Sequence, residues 1–182
     1  MNKLVAIVGM IGSGKSLASD YYESIGYERI HFGTVTFDRL KSEGLEINPV
    51  NEKMMREKIR EEYGMAAFAM LALPKIEEAL KKNNVVIDGL YSWQEYKVLK
   101  EKFECLKVIA MIVNKDVRYE RASRRKNRPF NNEEAMLRDI SEIENLEKGG
   151  PIAFADYYVL NEGDMANSYK KLDEITKLIE EK

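Results

Sequence analysis

The strongest constraint on the fold lies at the start of the chain. Leu4-Val5-Ala6-Ile7-Val8 is an unbroken apolar run, the pattern of a strand covered on both faces. Gly9-Met10-Ile11-Gly12-Ser13-Gly14-Lys15-Ser16 follows without a gap and fits G-x-x-x-x-G-K-[ST], the pattern of a phosphate-binding P-loop. From Lys15 to Tyr22, polar and apolar residues alternate at helical spacing, so a helix is expected to begin inside the motif. Strand, glycine loop and helix together are the context in which this pattern binds a nucleoside triphosphate.

Each letter has a physical reason. Gly9, Gly12 and Gly14 permit backbone angles and close approaches that a Cβ forbids, so successive N–H groups converge on one phosphate. The helix N-terminus adds unpaired donors and the positive end of its dipole. Lys15 supplies a mobile charge for the β- and γ-phosphates, and the Ser16 hydroxyl is a ligand for Mg²⁺. Gly9, Gly12, Ser13, Gly14, Lys15, Ser16 and Leu17 are the expected nucleotide-binding positions.

Composition narrows the remaining classes. The 182 residues suit one domain with a single substantial core. A formal net charge of −2 gives no overall attraction to nucleic acid or an anionic membrane. Cys105 is the only cysteine and His31 the only histidine, which leaves no material for an intrachain disulfide, a cysteine zinc site or a Ser-His-Asp relay. No apolar stretch approaches the roughly 20 residues that span a bilayer. Residues 1–8 run straight into the first strand, with no room for a signal peptide, so a cytoplasmic enzyme is expected.

Further strands are expected at Tyr27–Phe32, Val85–Asp88, Leu106–Val113 and Ala155–Leu160, with helices between them. A long helix is expected from about Met65 to Lys82, bent at Pro74, and another from Glu133 to Lys148, ended by Gly149-Gly150-Pro151. The alternation implies an α/β fold with a five-stranded parallel sheet and helices on both faces. No repeat, linker or low-complexity tract divides the chain.

Two later stretches carry chemistry. Val85-Val86-Ile87-Asp88-Gly89 ends an apolar run in a carboxylate at the carboxyl end of a buried strand, where ligands of open α/β sheets sit. Asp88 is therefore expected to hold Mg²⁺ beside the P-loop, the alternative being a cap on the next helix. Arg118, Arg121, Arg124, Arg125, Lys126 and Arg128 form a dense basic run closed by Asn127-Arg128-Pro129-Phe130. Such a run is ordinarily a solvated helix face. Here it follows a strand expected beside the P-loop strand, which favours a lid closing over a triphosphate. Helical spacing puts Arg121, Arg125 and Arg128 on one face, with Arg118 expected at the sheet edge and of less consequence.

The order of these markers resembles the P-loop nucleoside monophosphate kinase superfamily, and in layout the archaeal dephospho-CoA kinase-like proteins and, more distantly, adenylate kinase. The resemblance rests on the P-loop, Arg60-Glu61-Glu62-Tyr63-Gly64, Val86-Ile87-Asp88-Gly89, Glu120-Arg121, Arg138-Asp139 and Ala155 to Gly163. It implies a P-loop NTPase three-layer sandwich forming a single kinase domain over residues 1–182. Within it, an acceptor-binding insertion covers about 33–83 and an arginine lid about 118–138, and the turn containing Asn161 and Gly163 lines the adenine pocket. Two departures stand out. Adenylate kinase-like members carry an acceptor-phosphate arginine where this chain has Gly33-Thr34-Val35-Thr36-Phe37, and another after Asp-Gly, where it has Leu90-Tyr91-Ser92-Trp93.

The activity implied is transfer of the γ-phosphoryl group of ATP to a small nucleotide-like acceptor, a nucleoside monophosphate or dephospho-CoA type, with Mg²⁺ as cofactor. Lys15, Asp88, Arg121, Arg125 and Arg128 are the expected catalytic residues, Ser16 and Asp88 the metal ligands. Asp38 or Asp88 is available to take a proton from a hydroxyl acceptor. No nucleic-acid or membrane partner is expected, and the protein is read as a monomer or small homo-oligomer. The competing reading is a P-loop ATPase or nucleotide-dependent switch acting with a protein partner.

Overall fold

The computed structural model describes residues 2–126 and 129–181. In chain order the elements are β1 (Leu4–Val8), α1 (Lys15–Ser24), β2 (Glu28–His31), α2 (Thr34–Ser42), α3 (Pro49–Tyr63), α4 (Ala67–Leu80) and β3 (Val85–Asp88). There follow α5 (Trp93–Lys102), β4 (Leu106–Ile112), α6 (Lys115–Ser123), α7 (Asn132–Leu146), α8 (Gly149–Ala153), β5 (Tyr157–Leu160) and α9 (Met165–Glu180). The strands form one five-stranded sheet in the order β2-β3-β1-β4-β5, and every pairing is parallel.

The apolar run of β1 is central because both of its faces are buried. Leu4, Ala6 and Val8 enter one core with Val85, Ile87, Val108 and Ala110, while Val5 and Ile7 enter another with Val86, Ile109 and Met111. The first core is closed by residues of α2 through α5, among them Leu40, Met55, Ile59, Ile76 and Leu99. The second is closed by Ala18 and Tyr22 of α1 and by Leu172, Ile175 and Ile179 of α9. The period of two along the strand thus builds a three-layer sandwich.

Helix boundaries follow local chemistry. Asn48 caps α3 with Pro49 in its first turn, and Ser92 with Glu95 forms a capping box on α5. α4 continues through Pro74 as one helix. Gly149-Gly150-Pro151 does not simply end the preceding helix: after Glu147 the chain turns into the short α8, in which Gly150 sits against the Trp93 ring, with no room for a Cβ.

The order β2-β3-β1 brings the ends of three strands together. In register, His31 pairs with Asp88 and Ile7 pairs with Asp88, so the P-loop, Asp88 and His31 all emerge at the carboxyl end of the sheet.

Candidate active site

The P-loop leaves β1 and wraps the start of α1. Its glycines are forced by close approaches. A Cβ on Gly12 would lie 2.3 Å from the Arg118 carbonyl oxygen, and one on Gly14, where φ is +92°, would lie 2.1 Å from the Asn161 side-chain amide. Lys15 donates from Nζ to the Met10 carbonyl at 3.0 Å, folding its ammonium back over the loop. Burial, with the charge of Lys148 next, lowers the Lys15 pKa to about 7. Gly14 precedes α1 without a side-chain cap, which leaves the first-turn N–H groups for another acceptor.

A cavity of about 230 Å³ opens on the loop, lined by Gly14, Lys15, Ser16, His31, Asp88, Tyr91, Arg125, Arg138, Glu142 and Lys148 among others. Its cations outnumber its carboxylates, the composition of a site for a polyanion. Asp88 does not cap α5, since Ser92 does. Its Oδ2 instead accepts from Arg29 Nη2 at 2.5 Å and Nε at 3.2 Å, and Arg29 reaches on to Asp20 at 2.6 Å. Burial pushes the Asp88 carboxyl up, but hydrogen bonds from His31 and Arg29 outweigh it and hold the group at about 2. His31 donates from Nδ1 to the Asp88 carbonyl at 3.1 Å, and its pairing with Asp88 raises its pKa.

A second cavity, about 480 Å³, adjoins the first and shares His31, Tyr91, Arg138 and Glu142 with it. It lies in the region expected for the acceptor-binding insertion and is bounded by Phe32, Phe37 and Phe68 and by Lys53, Arg56 and Arg60. Arg56 pairs with Glu52 at 3.5 Å. Arg60 lies over the Phe68 ring at 4.9 Å, and its buried Nε has no hydrogen-bond partner among the described residues. Arginines from α3 and α7 thus supply positive charge that the segments after β2 and β3 lack.

The basic run is divided by its structure. α6 stops at Ser123, so Arg125 lies beyond the helix and the expected shared face with Arg121 does not form. Arg125 lines the P-loop cavity, Arg121 lines neither cavity, and Arg124 pairs with Glu120 at 2.6 Å. Arg128 lies outside the described residues. Arg118, expected at the sheet edge, is buried against the P-loop: Nη1 donates to the Ile11 carbonyl at 3.1 Å and pairs with Asp139 at 2.7 Å.

Other expected residues take supporting positions. Asn161 donates to the Ser13 carbonyl at 2.9 Å and accepts from Ser168 at 2.8 Å, so its side chain braces the loop from behind. Leu17 packs against the α1–α9 core, and Asn161 and Gly163 line neither of these two cavities. Asp38 lies in a separate shallow groove with Arg39 and Tyr63, away from Lys15. The residues that sequence reasoning missed are Lys148, Glu142, Arg29 and Arg56. Each reads locally as an ordinary charged surface position.

Residues 5–145 match the AAA domain family AAA_18. Over 180 residues the chain is 34% identical to a UPF0200 protein of Methanococcus maripaludis, covering 93% of this chain and 97% of that one. The chain belongs to the UPF0200 family. The UPF0200 chain also shares its fold with solved proteins, kinases among them. The Thermus thermophilus protein TT1252 aligns over 97% of both chains with a TM-score of 0.72 at 15% identity. Shikimate kinase from Bacteroides thetaiotaomicron aligns over 98% of both with a TM-score of 0.62 at 17% identity. Dephospho-CoA kinase from Campylobacter jejuni aligns over 98% of this chain and 97% of that one, with a TM-score of 0.56 at 15% identity. This UPF0200 member is therefore a P-loop kinase-like protein in fold. Among the described residues no helix is long and apolar enough to cross a membrane.

Proposed function

We propose that the protein is an ATP-dependent small-molecule kinase that transfers the γ-phosphoryl group to a nucleotide-like acceptor, of the nucleoside monophosphate or dephospho-CoA type. The observation that carries this reading is the pair of joined cavities, one on the P-loop and one walled by arginines and phenylalanines, meeting at His31, Tyr91, Arg138 and Glu142. Donor phosphates belong in the first and the acceptor in the second, so that the acceptor oxygen faces the γ-phosphorus at their junction.

In this reading the loop amides and Lys15 hold the β- and γ-phosphates, and Arg125 and Arg138 offset charge on the transferring group. The acceptor oxygen forms its bond to phosphorus as the β–γ bridge breaks, ADP carries away the electron pair, and an acceptor that is a hydroxyl gives up its proton to solvent. Phe32, Phe37 and Phe68 offer flat apolar faces, and Arg60, with its Nε unpartnered, suits an anionic group on the acceptor.

Ser16 and Asp88 line one cavity with hard oxygen donors, and no cluster of three or more His, Cys, Asp or Glu competes as a metal cage among the described residues. That donor set fits Mg²⁺, which is commonly held by one or two carboxylates plus substrate phosphates and water. When bound, Mg²⁺ would neutralise charge on the β- and γ-oxygens.

The alternative of a switch driven by a protein partner has less support, because the second cavity is a recess beside the phosphate site rather than an exposed docking face. The test is ATP turnover with and without a panel of nucleotides, nucleosides and coenzyme A precursors. A kinase is nearly idle alone and accelerates with one of them. Equal ATP hydrolysis throughout the panel would favour the ATPase reading.

A further inference from the structure

Lys148 is not used by the reading above, yet it is among the most buried side chains of the molecule, 1% exposed, and it lines the P-loop cavity. Buried lysines are rare unless paired. Its Nζ pairs with Glu142 Oε2 at 2.5 Å and lies over the Tyr91 ring, 4.7 Å from its centroid. The other oxygen of Glu142 accepts from Arg138 Nε at 3.1 Å, so one carboxylate serves two cations that both line the cavity. Lys15 stands close enough for Lys148 to depress its pKa.

The backbone is bent to put Lys148 there. Glu147, which ends α7, has φ +51°, the only left-handed non-glycine among the described residues. A left-handed residue at this position is a common way for an α-helix to end, and here it carries the chain from α7 into α8. After it, the Lys148 N–H bonds back to the Glu142 carbonyl at 3.2 Å, and its side chain turns beneath α7 toward the loop.

We propose that Lys148 is a phosphate-binding residue of the P-loop cavity, and that Glu142 is the counter-ion it holds when no triphosphate is present. This rests on the kinase reading of the same cavity. An incoming polyphosphate offers Lys148 and Arg138 a stronger set of acceptors than the single carboxylate they share. Glu142 therefore works against triphosphate binding while keeping both cations aligned for it. Because Arg138 also borders the second cavity, the exchange at Glu142 links occupancy of one cavity to charge in the other.

The alternative is that Lys148 only neutralises a buried glutamate. Binding of Mg-ATP and of inorganic tripolyphosphate, measured by titration calorimetry, separates the two. The variants are Glu142→Gln, Lys148→Met and the double variant, in which no buried charge of the pair is left stranded. The proposal expects Glu142→Gln to tighten tripolyphosphate binding several-fold, and the double variant to weaken it about tenfold or more. Melting curves check that the double variant is folded. Native-like affinity in the double variant would overturn the proposal, as would weakened binding in Glu142→Gln. If the native protein binds neither ATP nor tripolyphosphate, the kinase reading fails with it; if it binds both and the double variant matches it, only the role of Lys148 fails.

Discussion

Arg118 on α6 is fastened to Ile11 in the P-loop: its guanidinium donates to the Ile11 carbonyl at 3.1 Å while pairing with Asp139 of α7 at 2.7 Å. The Arg118 carbonyl also lies where a side chain on Gly12 would have to go. The base of the basic segment and the phosphate loop are thus one packed unit. Replacing Arg118 by Ala leaves the buried Asp139 carboxylate without its counter-ion, held only by the Tyr119 hydroxyl, and is expected to cost about 3 kcal/mol of stability. Chemical denaturation measures this, and Arg118→Ala/Asp139→Asn should recover part of the loss.

Arg125 and Arg124 are adjacent in sequence but differ in position, one lining the P-loop cavity and the other paired with Glu120 at the surface. Arg125→Ala is expected to lower kcat about tenfold or more with a smaller change in ATP affinity, since charge on the transferring group matters most in the transition state. Arg124→Ala should leave both close to native. Steady-state kinetics on the two variants decides the matter, and equal effects would return the segment to a solvated basic surface.

Lys15→Ala should abolish measurable triphosphate binding while the protein stays folded, because the ammonium forms only a local bond to the Met10 carbonyl. Calorimetry with ATP, beside a melting curve, is the check. Unchanged affinity would remove the basis for the nucleotide site.

Asp88→Asn carries two consequences. Loss of the Arg29 pair is expected to lower stability by about 2 kcal/mol. Turnover should fall further than metal-free nucleotide binding, with a higher Mg²⁺ concentration needed for half-maximal rate. Identical Mg²⁺ curves for native and variant would leave Asp88 as a structural partner of Arg29 alone.

Glu95 gives a stability signature in pH. Burial raises its pKa to about 7, although the Tyr91 and Ser92 N–H groups donate to Oε2, and its Oε1 has no partner among the described residues. Between pH 4.5 and 7 the unfolded chain has released this proton and the folded chain keeps it. The contribution of Glu95 to stability therefore falls as pH rises through that window and levels off above it, by about 3 kcal/mol in total. In Glu95→Gln, which preserves the acceptor for both N–H groups, the part of the slope due to Glu95 should vanish, leaving that of His31, whose raised pKa acts in the same direction. Denaturation of both proteins from pH 5 to 8 compares them directly.

The strands and the P-loop were legible because their signals are local: an apolar run, fixed glycines, a lysine and a serine. Asp88 beside the loop was legible as well, from its place at a strand end. What held it was not, since the Arg29 contact depends on the β2–β3 register and nothing in Glu28-Arg29-Ile30 announces a partner in β3. The arginine run misled in one respect. Helical spacing was extended from Arg121 to Arg125, but α6 ends at Ser123, and the residue that spacing set aside, Arg118, is the one that touches the loop. Lys148 was hidden by its neighbours, because a lysine before Gly-Gly-Pro reads as the frayed end of a helix, while its burial depends on Glu142 and on Tyr91, which is distant in sequence.

The brace on the loop has a consequence for how the protein is made. The Ser13 carbonyl is held by Asn161, which is held in turn by Ser168. A ribosome emitting this chain releases Ser13 148 residues before Asn161, so the loop emerges long before the group that fixes its shape. The sheet order repeats the delay, since β1 must wait for both β3 and β4 to flank it. Such distant pairings form slowly and leave early segments unsupported. Phosphate affinity would then appear on a nascent chain only after Asn161 and Ser168 have emerged, and its onset would report that the sheet has closed around the loop.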